Sequence, residues 1–520
     1  MTRIFRFAFV VVLLTAALRG TAAAEITFPL NDNNAGVFDQ PNATLNGNTV
    51  YVAFIGDTTG SGTFRVYFAA VNGAADFTNL LLPRDSTVIL TPPVAIDNTG
   101  SGGNTPYFDA RHPKIAMRTA TEAVILFQAR PTPSDVVYRP YIARVALSGN
   151  TATLVSVRQV GGFPAGVLTT GDIEDISYNL VVTDNSVRMA FANRSTITAT
   201  APFHVYFARV GLDNATVVGT PLLLSSGNDN TVTGSDGFRP VPNLHIDSLN
   251  NSHVVWAANN SPPIPSGIYY SLVTSNPTFD NIAIGATEVL GRTFSWGHPS
   301  VHVISTASIV VLAADESFPG RAGSMGIANL NPDAVTPKTG RPVEIGQVRL
   351  FLLFGPSILP STFDLYHPEA FLDVLQQIHL TGYGNAGTAA TYYAISTSGL
   401  NPFIDFAFAT APISVGFNQF PAELPNDYTT AGFAVLGGKT IVFWSGLIPG
   451  SANRNLNFTA VPNNSYTPEV EEGCSMVKDP RAGETERIPG TFLLFLPAIM
   501  LAIRRISHEF RRTTGRSVAD

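Results

Sequence analysis

The chain has 520 residues, of which 45% are hydrophobic and 13% charged, and it contains a single cysteine. Its net charge is −7, yet residues 1–24 hold three arginines and no acid, and residues 504–520 hold five arginines and two acids. The body between these ends is therefore strongly acidic, which argues against nucleic acid or an anionic membrane surface as its partner. One cysteine excludes an internal disulfide, so the fold must depend on its hydrophobic core.

The N-terminus reads "MTRIFRFAFVVVLLTAALRGTAAAEITFPL". Arg3 and Arg6 precede an apolar stretch over residues 7–18, and three alanines follow at positions 22–24. This order is typical of a secretory signal peptide, predicted over residues 1–24 with cleavage before Glu25. A retained membrane anchor is the alternative interpretation.

The body, residues 25–466, is rich in Val, Ile, Thr, Phe and Tyr, as all-β proteins are. A hairpin repeats along it about every 64 residues. Its first strand alternates and ends near an aromatic residue, as in "NTVYVAF", "AVILFQA", "SHVVWAA" and "KTIVFWS". Its second strand follows after a turn rich in Gly, Ser, Pro and Asn. The second-strand aromatic positions are Tyr67, Tyr141, Tyr206, Tyr270 and Tyr393, with Met325 and Leu456 in degenerate copies.

A third element precedes most hairpins, in which a proline or turn residue leads into an alternating strand: "QPNATL", "RHPKIAM", "VPNLHID", "GHPSVHV", "YHPEAFL". Proline suits the first residue of a strand because its missing N–H then costs no ladder bond. This element would be the innermost strand of a four-stranded blade. The spacing predicts an all-β fold with a single seven-bladed β-propeller over residues 25–466, and "EITFPL" is a candidate closing strand of the last blade.

The rhythm of proline-led strand, aromatic strand and tyrosine-rich strand resembles the sialidase-like propellers, and the resemblance spans the whole body. It implies the propeller fold. The chain contains no S-x-D-x-G-x-x-W box and no cluster that matches the arginine triad of sialidases. The resemblance therefore implies no catalytic residue here, and the catalytic residues stay unknown.

Polar residues stand just before the predicted innermost strands, where they would converge on one axial rim. The rim candidates are Asp109, Arg111, His112, Asp175, Arg239, His298, His367 and Asp427. Imidazole, guanidinium and carboxylate groups around one opening could bind an anionic sugar or coordinate a metal. The alternative is structural, since a histidine before proline often only bonds its own turn. No phosphate-binding glycine loop, H-E-x-x-H or nucleophile elbow occurs, so neither a cofactor nor a resident metal is expected.

After the body the composition changes. Residues 467–487 are polar and read as a linker that carries Cys474, and residues 488–503 are sixteen residues without charge. We predict a single transmembrane helix over 488–503, followed by a basic cytoplasmic tail over 504–520.

Gly473-Cys474-Ser475-Met476, together with Ile488 and Thr491, resembles the cysteine-bearing JDVT type of bacterial C-terminal sorting tail. The resemblance implies a processing protease that cleaves near the motif, and attachment at the cell envelope or cell surface. Cys474 would then be a processing or anchoring site. A free, unmodified thiol is the alternative.

These patterns indicate an exported propeller, held at the membrane by its C-terminal helix before processing. We expect a binding or adhesion module whose partner is carbohydrate or another surface protein, and no nucleic acid. A polysaccharide-active enzyme, a glycoside hydrolase or lyase that uses the axial rim, is the alternative function, and a scaffold for other surface proteins is a third.

Overall fold

The computed structural model describes a set of segments within the body. They are residues 28–30, 36–75, 88–149, 151–164, 173–181, 185–194, 202–225, 232–233, 240–258, 267–275, 280–291, 296–306, 308–315, 324–331, 349–352, 364–372, 377–385, 389–395, 413–417, 432–436, 438–447 and 453–462. All of them belong to the first of two compact parts of the chain, residues 1–468. The predicted linker, transmembrane helix and tail lie outside the described residues.

Within the described residues the strands form six hydrogen-bonded sheets, one of which has eight strands and joins the last strands of the chain to the first. For description we divide that sheet in two, call each group of antiparallel strands a blade and number the blades in chain order. A two-residue strand, β1 (Phe28–Pro29), comes first. Blade 1 contains β2 (Val37–Asn46), β3 (Thr49–Asp57), β4 (Arg65–Asn72) and β5 (Ile89–Ala95). Blade 2 contains β6 (Asp109–Thr119), β7 (Glu122–Arg130), β8 (Arg139–Ser148) and β9 (Thr151–Gln159), after a 3-10 turn at Ser101–Gly103. Blade 3 contains β10 (Ile173–Val181), β11 (Ser186–Arg194), β12 (Pro202–Gly211) and β13 (Thr216–Leu223), and β14 (Val232–Thr233) pairs with β12.

The later blades repeat this order. Blade 4 contains β15 (Asn243–Ile246), β16 (Ser252–Ala258), β17 (Gly267–Ser275) and β18 (Asp280–Leu290). Blade 5 contains β19 (Trp296–Ser305), β20 (Ser308–Asp315), β21 (Ser324–Leu330) and β22 (Arg349–Leu352). Blade 6 contains β23 (Asp364–Leu372), β24 (Ile378–Asn385), β25 (Ala389–Ile395) and β26 (Ile413–Phe417). Blade 7 contains β27 (Gly432–Val435), β28 (Lys439–Leu447) and β29 (Arg454–Pro462). The all-β, propeller-like fold is thereby confirmed.

Apolar cores join successive blades. Ile55 and Phe68 of blade 1 pack with Ile125 of blade 2, and equivalent cores lie between blades 2 and 3, 3 and 4, 4 and 5, and 6 and 7. Between blades 5 and 6 the inner strands β19 and β23 adjoin. Burying each large apolar side chain contributes about 1.5–3 kcal/mol, so these seams between the sheets hold the body together.

The last blade packs on the first. Phe28 of β1 pairs with Phe458 of β29, and the Leu30 N–H donates to the Leu456 carbonyl oxygen at 2.8 Å. Leu30 is buried in a core that contains residues of both blade 7 and blade 1. The prediction that "EITFPL" closes the last blade is confirmed at its described residues, because β1 is the fourth strand of blade 7.

Aromatic side chains stack across the second and third strands, as the repeat predicts. The stacked pairs, with the distance between ring centroids, are Phe54–Tyr67 (5.6 Å), Phe127–Tyr141 (5.5 Å), Phe191–Tyr206 (5.6 Å) and Trp256–Tyr269 (6.1 Å). The assignment of Tyr270 to this series was wrong by one residue. Side chains alternate between the faces of a strand, so the Tyr269–Tyr270 dipeptide places one ring on each face of blade 4.

The inner edge of a blade needs hydrogen-bond partners, because an innermost strand pairs along its length only with the second strand of its own blade. In blade 1, β2 is also bridged to β29 at Val37 and Arg454. The Ile115 N–H of blade 2 donates to Asn42 Oδ1 of blade 1 at 2.9 Å. Val301 N–H of blade 5 donates to Asn243 Oδ1 of blade 4 at 3.1 Å, and Leu244 N–H of blade 4 donates to Ser177 Oγ of blade 3 at 3.0 Å. A side chain of one blade therefore satisfies the inner backbone of the next.

No helix among the described residues has the length and apolar character that crossing a membrane requires.

Gly432 gives a test of the contact between the last and the first blade. A Cβ at this position would lie 2.6 Å from the Pro41 carbonyl oxygen and 2.9 Å from the Pro41 carbonyl carbon. We expect Gly432→Ala to lower the free energy of unfolding by about 1–3 kcal/mol, since backbone must move to admit the methyl group. Gly438→Ala in the same hairpin is the control, because its Cβ would meet nothing within 4 Å. Equal melting temperatures for the two variants would contradict this close contact.

Candidate functional site: the entry ends of the inner strands

The innermost strands of blades 1 to 6 share a β-bulge at the end where the chain enters them. In each case two residues of the inner strand are skipped in its pairing with the second strand. The skipped pairs are Gln40–Pro41, His112–Pro113, Glu174–Asp175, His298–Pro299 and His367–Pro368. Blade 4 has the same arrangement at Val241–Pro242, since Ala257 N–H bonds the Pro240 oxygen while Asn243 already pairs with Val255. We call these positions the entry bulges.

The entry bulges hold non-glycine residues in an unusual conformation. Gln40, His112 and Val241, each directly before a proline, have φ angles of 54°, 52° and 37°. The left-handed region costs a residue with a Cβ about 1–2 kcal/mol, so the surrounding structure must impose it. Bulges of this kind re-aim side chains and are frequent beside binding and active sites.

Neighbouring entry bulges are directly connected. The His112 N–H donates to Gln40 Oε1 at 2.6 Å, which links blade 2 to blade 1. Gln40 is itself fixed, because its N–H donates to Asp39 Oδ1 at 2.8 Å, and Asp39 receives a hydrogen bond from Arg454 of blade 7 at 3.3 Å. The bulges of blades 1 and 2 therefore form one bonded arrangement that is anchored on the closing blade.

Asp109 organises the entry end of blade 2. Its carboxylate accepts hydrogen bonds from the Phe64 N–H at 2.9 Å, from Arg130 Nη2 at 3.0 Å and from the Tyr138 hydroxyl at 2.7 Å. Burial, and then the hydrogen bond to Asp109, raise the pKa of Tyr138 above its usual value, so its hydroxyl keeps its proton and donates. These donors come from β7, from the loop between β7 and β8, and from the loop between β3 and β4 of blade 1, which makes Asp109 an anchor for three segments.

Arg111 lies beside this anchor. Its guanidinium carbon is 3.7 Å from the centre of the Tyr138 ring, and its Nε donates to Gln128 Oε1 at 2.8 Å. A cation over an aromatic face is stabilised by the ring quadrupole, by about 0.5–2 kcal/mol. Arg130 lies over Phe108 at 5.2 Å, so two guanidinium groups and two aromatic rings surround the single carboxylate.

The structure brings three of the predicted rim residues, Asp109, Arg111 and His112, together at the start of β6. Asp175, His298 and His367 lie in the entry bulges of blades 3, 5 and 6, and for these three only the backbone position is described. Arg239, Asp427 and Cys474 lie outside the described residues. Within the described side chains, no group of three or more His, Cys, Asp or Glu residues is arranged to hold a metal ion.

Sequence analysis missed a pair of buried histidine–tyrosine contacts. His253 Nδ1 lies 2.8 Å from the Tyr270 hydroxyl in blade 4, and His379 Nδ1 lies 2.6 Å from the Tyr393 hydroxyl in blade 6. The Tyr393 hydroxyl also donates to Thr440 Oγ1 of blade 7 at 2.9 Å. A readable signal was present, because a histidine six residues after an aspartate precedes a Tyr-Tyr dipeptide in both blades.

Comparison with known proteins gives likenesses in structure alone. No family model and no curated protein matches the chain. Among solved structures, the polysaccharide lyase Uly1 has a TM-score of 0.41 at 9% identity over 81% of this chain and 89% of its own. An arabinofuranosidase of Fusarium graminearum with arabinobiose has a TM-score of 0.39 at 11% identity over 85% and 98% of the two chains. A Trypanosoma rangeli sialidase with sialic acid has a TM-score of 0.39 at 10% identity over 67% and 54%. Likenesses of this degree carry no activity over to this chain.

Asp109→Asn tests the anchor. The amide keeps the shape but loses the ion pair with Arg130, whose side chain is 25% exposed, so solvent screens part of the loss. We expect the free energy of unfolding to fall by about 1–2 kcal/mol, measured by denaturant titration. Asp213→Asn is the matched control: Asp213 pairs with Arg144 at 3.4 Å but is 71% exposed, so its loss should cost less than about 0.5 kcal/mol. A larger loss for Asp213→Asn would contradict this ranking.

Proposed function

We propose that the chain is a single seven-bladed propeller over residues 25–466 that binds polysaccharide at the entry ends of its inner strands. The observation that carries the proposal is Val241. It occupies the entry bulge of blade 4 with the same left-handed conformation as Gln40 and His112. The bulge therefore does not require a polar side chain. Blades 2, 5 and 6 have histidine at this bulge position, and the backbone conformation alone does not explain why the residue is histidine.

Ligand binding supplies that reason. Binding sites are concave, with a few polar groups at fixed positions that orient the ligand. The bonded bulges of blades 1 and 2 hold His112 in such a position. The half-buried Tyr138 and Arg130, with the buried Arg111 packed on the Tyr138 ring, add polar and aromatic groups on the same blade. Sugars present hydroxyl groups and apolar ring faces, which such a surface can bind by hydrogen bonds and by aromatic contact.

Cleavage of the bound polysaccharide is the second candidate function. It is favoured by the recurrence of histidine at one bulge position, because histidine is the side chain most often used to move protons near neutral pH. The described carboxylates at the entry ends, Asp39 and Asp109, are each held in an ion pair with an arginine. The histidines are therefore better placed than these two acids for proton transfer.

The test is a triple substitution at the bulges. Asparagine tolerates left-handed backbone, so His112→Asn, His298→Asn and His367→Asn should preserve the fold. We expect at least a tenfold weaker affinity for whichever polysaccharide the natural chain binds from a panel of arabinan and uronate-containing polymers, measured by calorimetry. Asp213→Asn, outside the entry ends, should bind normally.

The outcomes separate the candidate functions. Unchanged binding by the folded triple variant would contradict a site at the entry bulges, and no binding to any polymer by the natural chain would contradict polysaccharide as the ligand. Release of shorter chains by the natural protein, absent in the triple variant, would establish cleavage. Binding without such release would leave recognition as the function.

We further propose that the chain is exported by its signal peptide and held by its C-terminal segment until processing at Cys474. The support is the sequence order of thiol, apolar run and arginine cluster. We expect Cys474→Ser to leave the propeller folded, because the substitution lies in the predicted polar linker after residue 466, and to leave the protein uncleaved or released from the envelope. Intact masses of the natural and variant proteins from membrane and medium decide this. A natural protein that ends at Asp520, unmodified and unaffected by the substitution, would contradict processing.

A further inference from the structure

A second polar cluster lies away from the entry bulges, on the inner strands of blades 4 and 5. His245 of β15 is the direct cross-strand neighbour of His253 of β16. His302 of β19 faces His245 with 6.4 Å between the ring centroids. We call His245, His253 and His302 the histidine cluster. His253 and His302 are 1% and 7% exposed, so two of the three imidazoles are almost completely removed from water.

The groups that face the cluster come from both blades. In blade 4, Asp247 Oδ2 lies 3.4 Å from His253 Nε2, and the Tyr270 hydroxyl of β17 lies 2.8 Å from His253 Nδ1. In blade 5, Ser300 Oγ lies 3.2 Å from His302 Nε2. Towards blade 3, the described charged side chains are the buried Arg188 of β11, on the same face as Ala190 of that seam, and Arg209 of β12, which pairs with Asp280 of β18.

Asp247 is the single described carboxylate of this cluster, and its oxygen atoms already accept hydrogen bonds from the backbone. It accepts hydrogen bonds from the N–H groups of Leu249 and Asn251, which form the turn between β15 and β16. Burial raises the pKa of Asp247, but the hydrogen bonds from His253 and Asn251 outweigh it, so the pKa is below its usual value. One buried negative charge is thus available for three imidazoles, and it lies against His253.

Burial lowers the pKa of His245, and the proximity of His253 lowers it further; the Val301 backbone and Asp247 raise it but are outweighed, so this pKa lies below its ordinary value. A neutral His245 therefore fits the closed seam between blades 4 and 5 better than a charged one. In the opened seam His245 is solvated and has the ordinary histidine pKa of about 6.5. Below that pH, His245 binds a proton in the opened seam but stays neutral in the closed seam, so acid favours opening.

We propose that the histidine cluster makes the seam between blades 4 and 5 an acid-sensitive joint of the propeller. The seam is closed when His245 is neutral, and it opens locally when acid protonates His245 between His253 and His302. Each proton taken up only on opening increases the opening equilibrium constant by up to about tenfold per pH unit, from about pH 6.5 down to the pKa of the closed state. This device is independent of polysaccharide binding at the entry bulges.

Hydrogen exchange of the full chain tests the joint, since exchange of strand amides measures local opening. We expect the opening constants of the Leu244, Val254 and Val301 amides, corrected for intrinsic exchange, to rise about tenfold or more from pH 7 to pH 5.5. Amides of β7 and β8 in blade 2 should change less than about threefold. A natural chain whose β15, β16 and β19 amides show no such rise would overturn the proposal.

The variant His245→Gln with His302→Gln removes the imidazole of His245 and the imidazole that faces it, while keeping polar side chains of similar size. We expect the rise between pH 7 and pH 5.5 to fall below about twofold at the same amides. His204→Gln in blade 3 is the control, because burial lowers the pKa of His204 as well but it belongs to another blade. A double variant that keeps the tenfold rise would overturn the proposal. If the double variant does not fold, the single variant His245→Gln replaces it. The logarithm of its opening constant, plotted against pH, must then have at most half the slope of the natural chain.

Discussion

The inner edge of each blade is the constraint on which the rest of this structure depends. An innermost strand pairs along its length with one strand, and the backbone N–H groups on its other edge must find acceptors because an unpaired buried donor costs about 1–3 kcal/mol. Asn42, Ser177 and Asn243 supply acceptors to the inner strands of blades 2, 4 and 5. Each of these three blades is thereby bonded to a side chain of its predecessor, in addition to the apolar core between them.

The entry bulges belong to the same system of contacts. Gln40 accepts the His112 N–H, and Asp39 receives Arg454 of the closing blade. The strain of a left-handed residue before proline is therefore held by bonds that also join blades 7, 1 and 2. Asp109 does the equivalent work for the loops around blade 2, where it binds a backbone N–H, a guanidinium and a phenol. Rigid backbone with fixed polar side chains is what ligand recognition requires of a scaffold.

Sequence patterns predicted the strands of the propeller well, because alternation and proline position report directly on which residues face a core. "QPNATL" and "RHPKIAM" become the inner strands β2 and β6 as expected. They could not predict the left-handed conformation of Gln40 and His112, since residues before proline normally favour extended backbone. Nor could they show that Tyr270, and not Tyr269, contacts His253. Either tyrosine of the Tyr269–Tyr270 dipeptide could face the neighbouring strand's aromatic residue, depending on which face of the strand it occupies.

The candidate site was predictable in part. Asp109, Arg111 and His112 are adjacent in sequence and in space, so reading them as one group was straightforward. Their partners Arg130 and Tyr138 come from the next strand and the loop after it, and no local pattern marks them as partners of Asp109. The histidine cluster depends on cross-strand pairing and on two blades meeting, which only the folded chain reveals.

A crystal structure of the protein with an oligosaccharide from the panel of arabinan and uronate-containing polymers tests the proposed site most directly. The proposal predicts sugar hydroxyl groups within hydrogen-bonding distance, about 2.6–3.2 Å, of the His112 imidazole, with the ligand across the entry bulges of neighbouring blades. An oligosaccharide bound on the outer strands, with the entry bulges occupied by water, would contradict it.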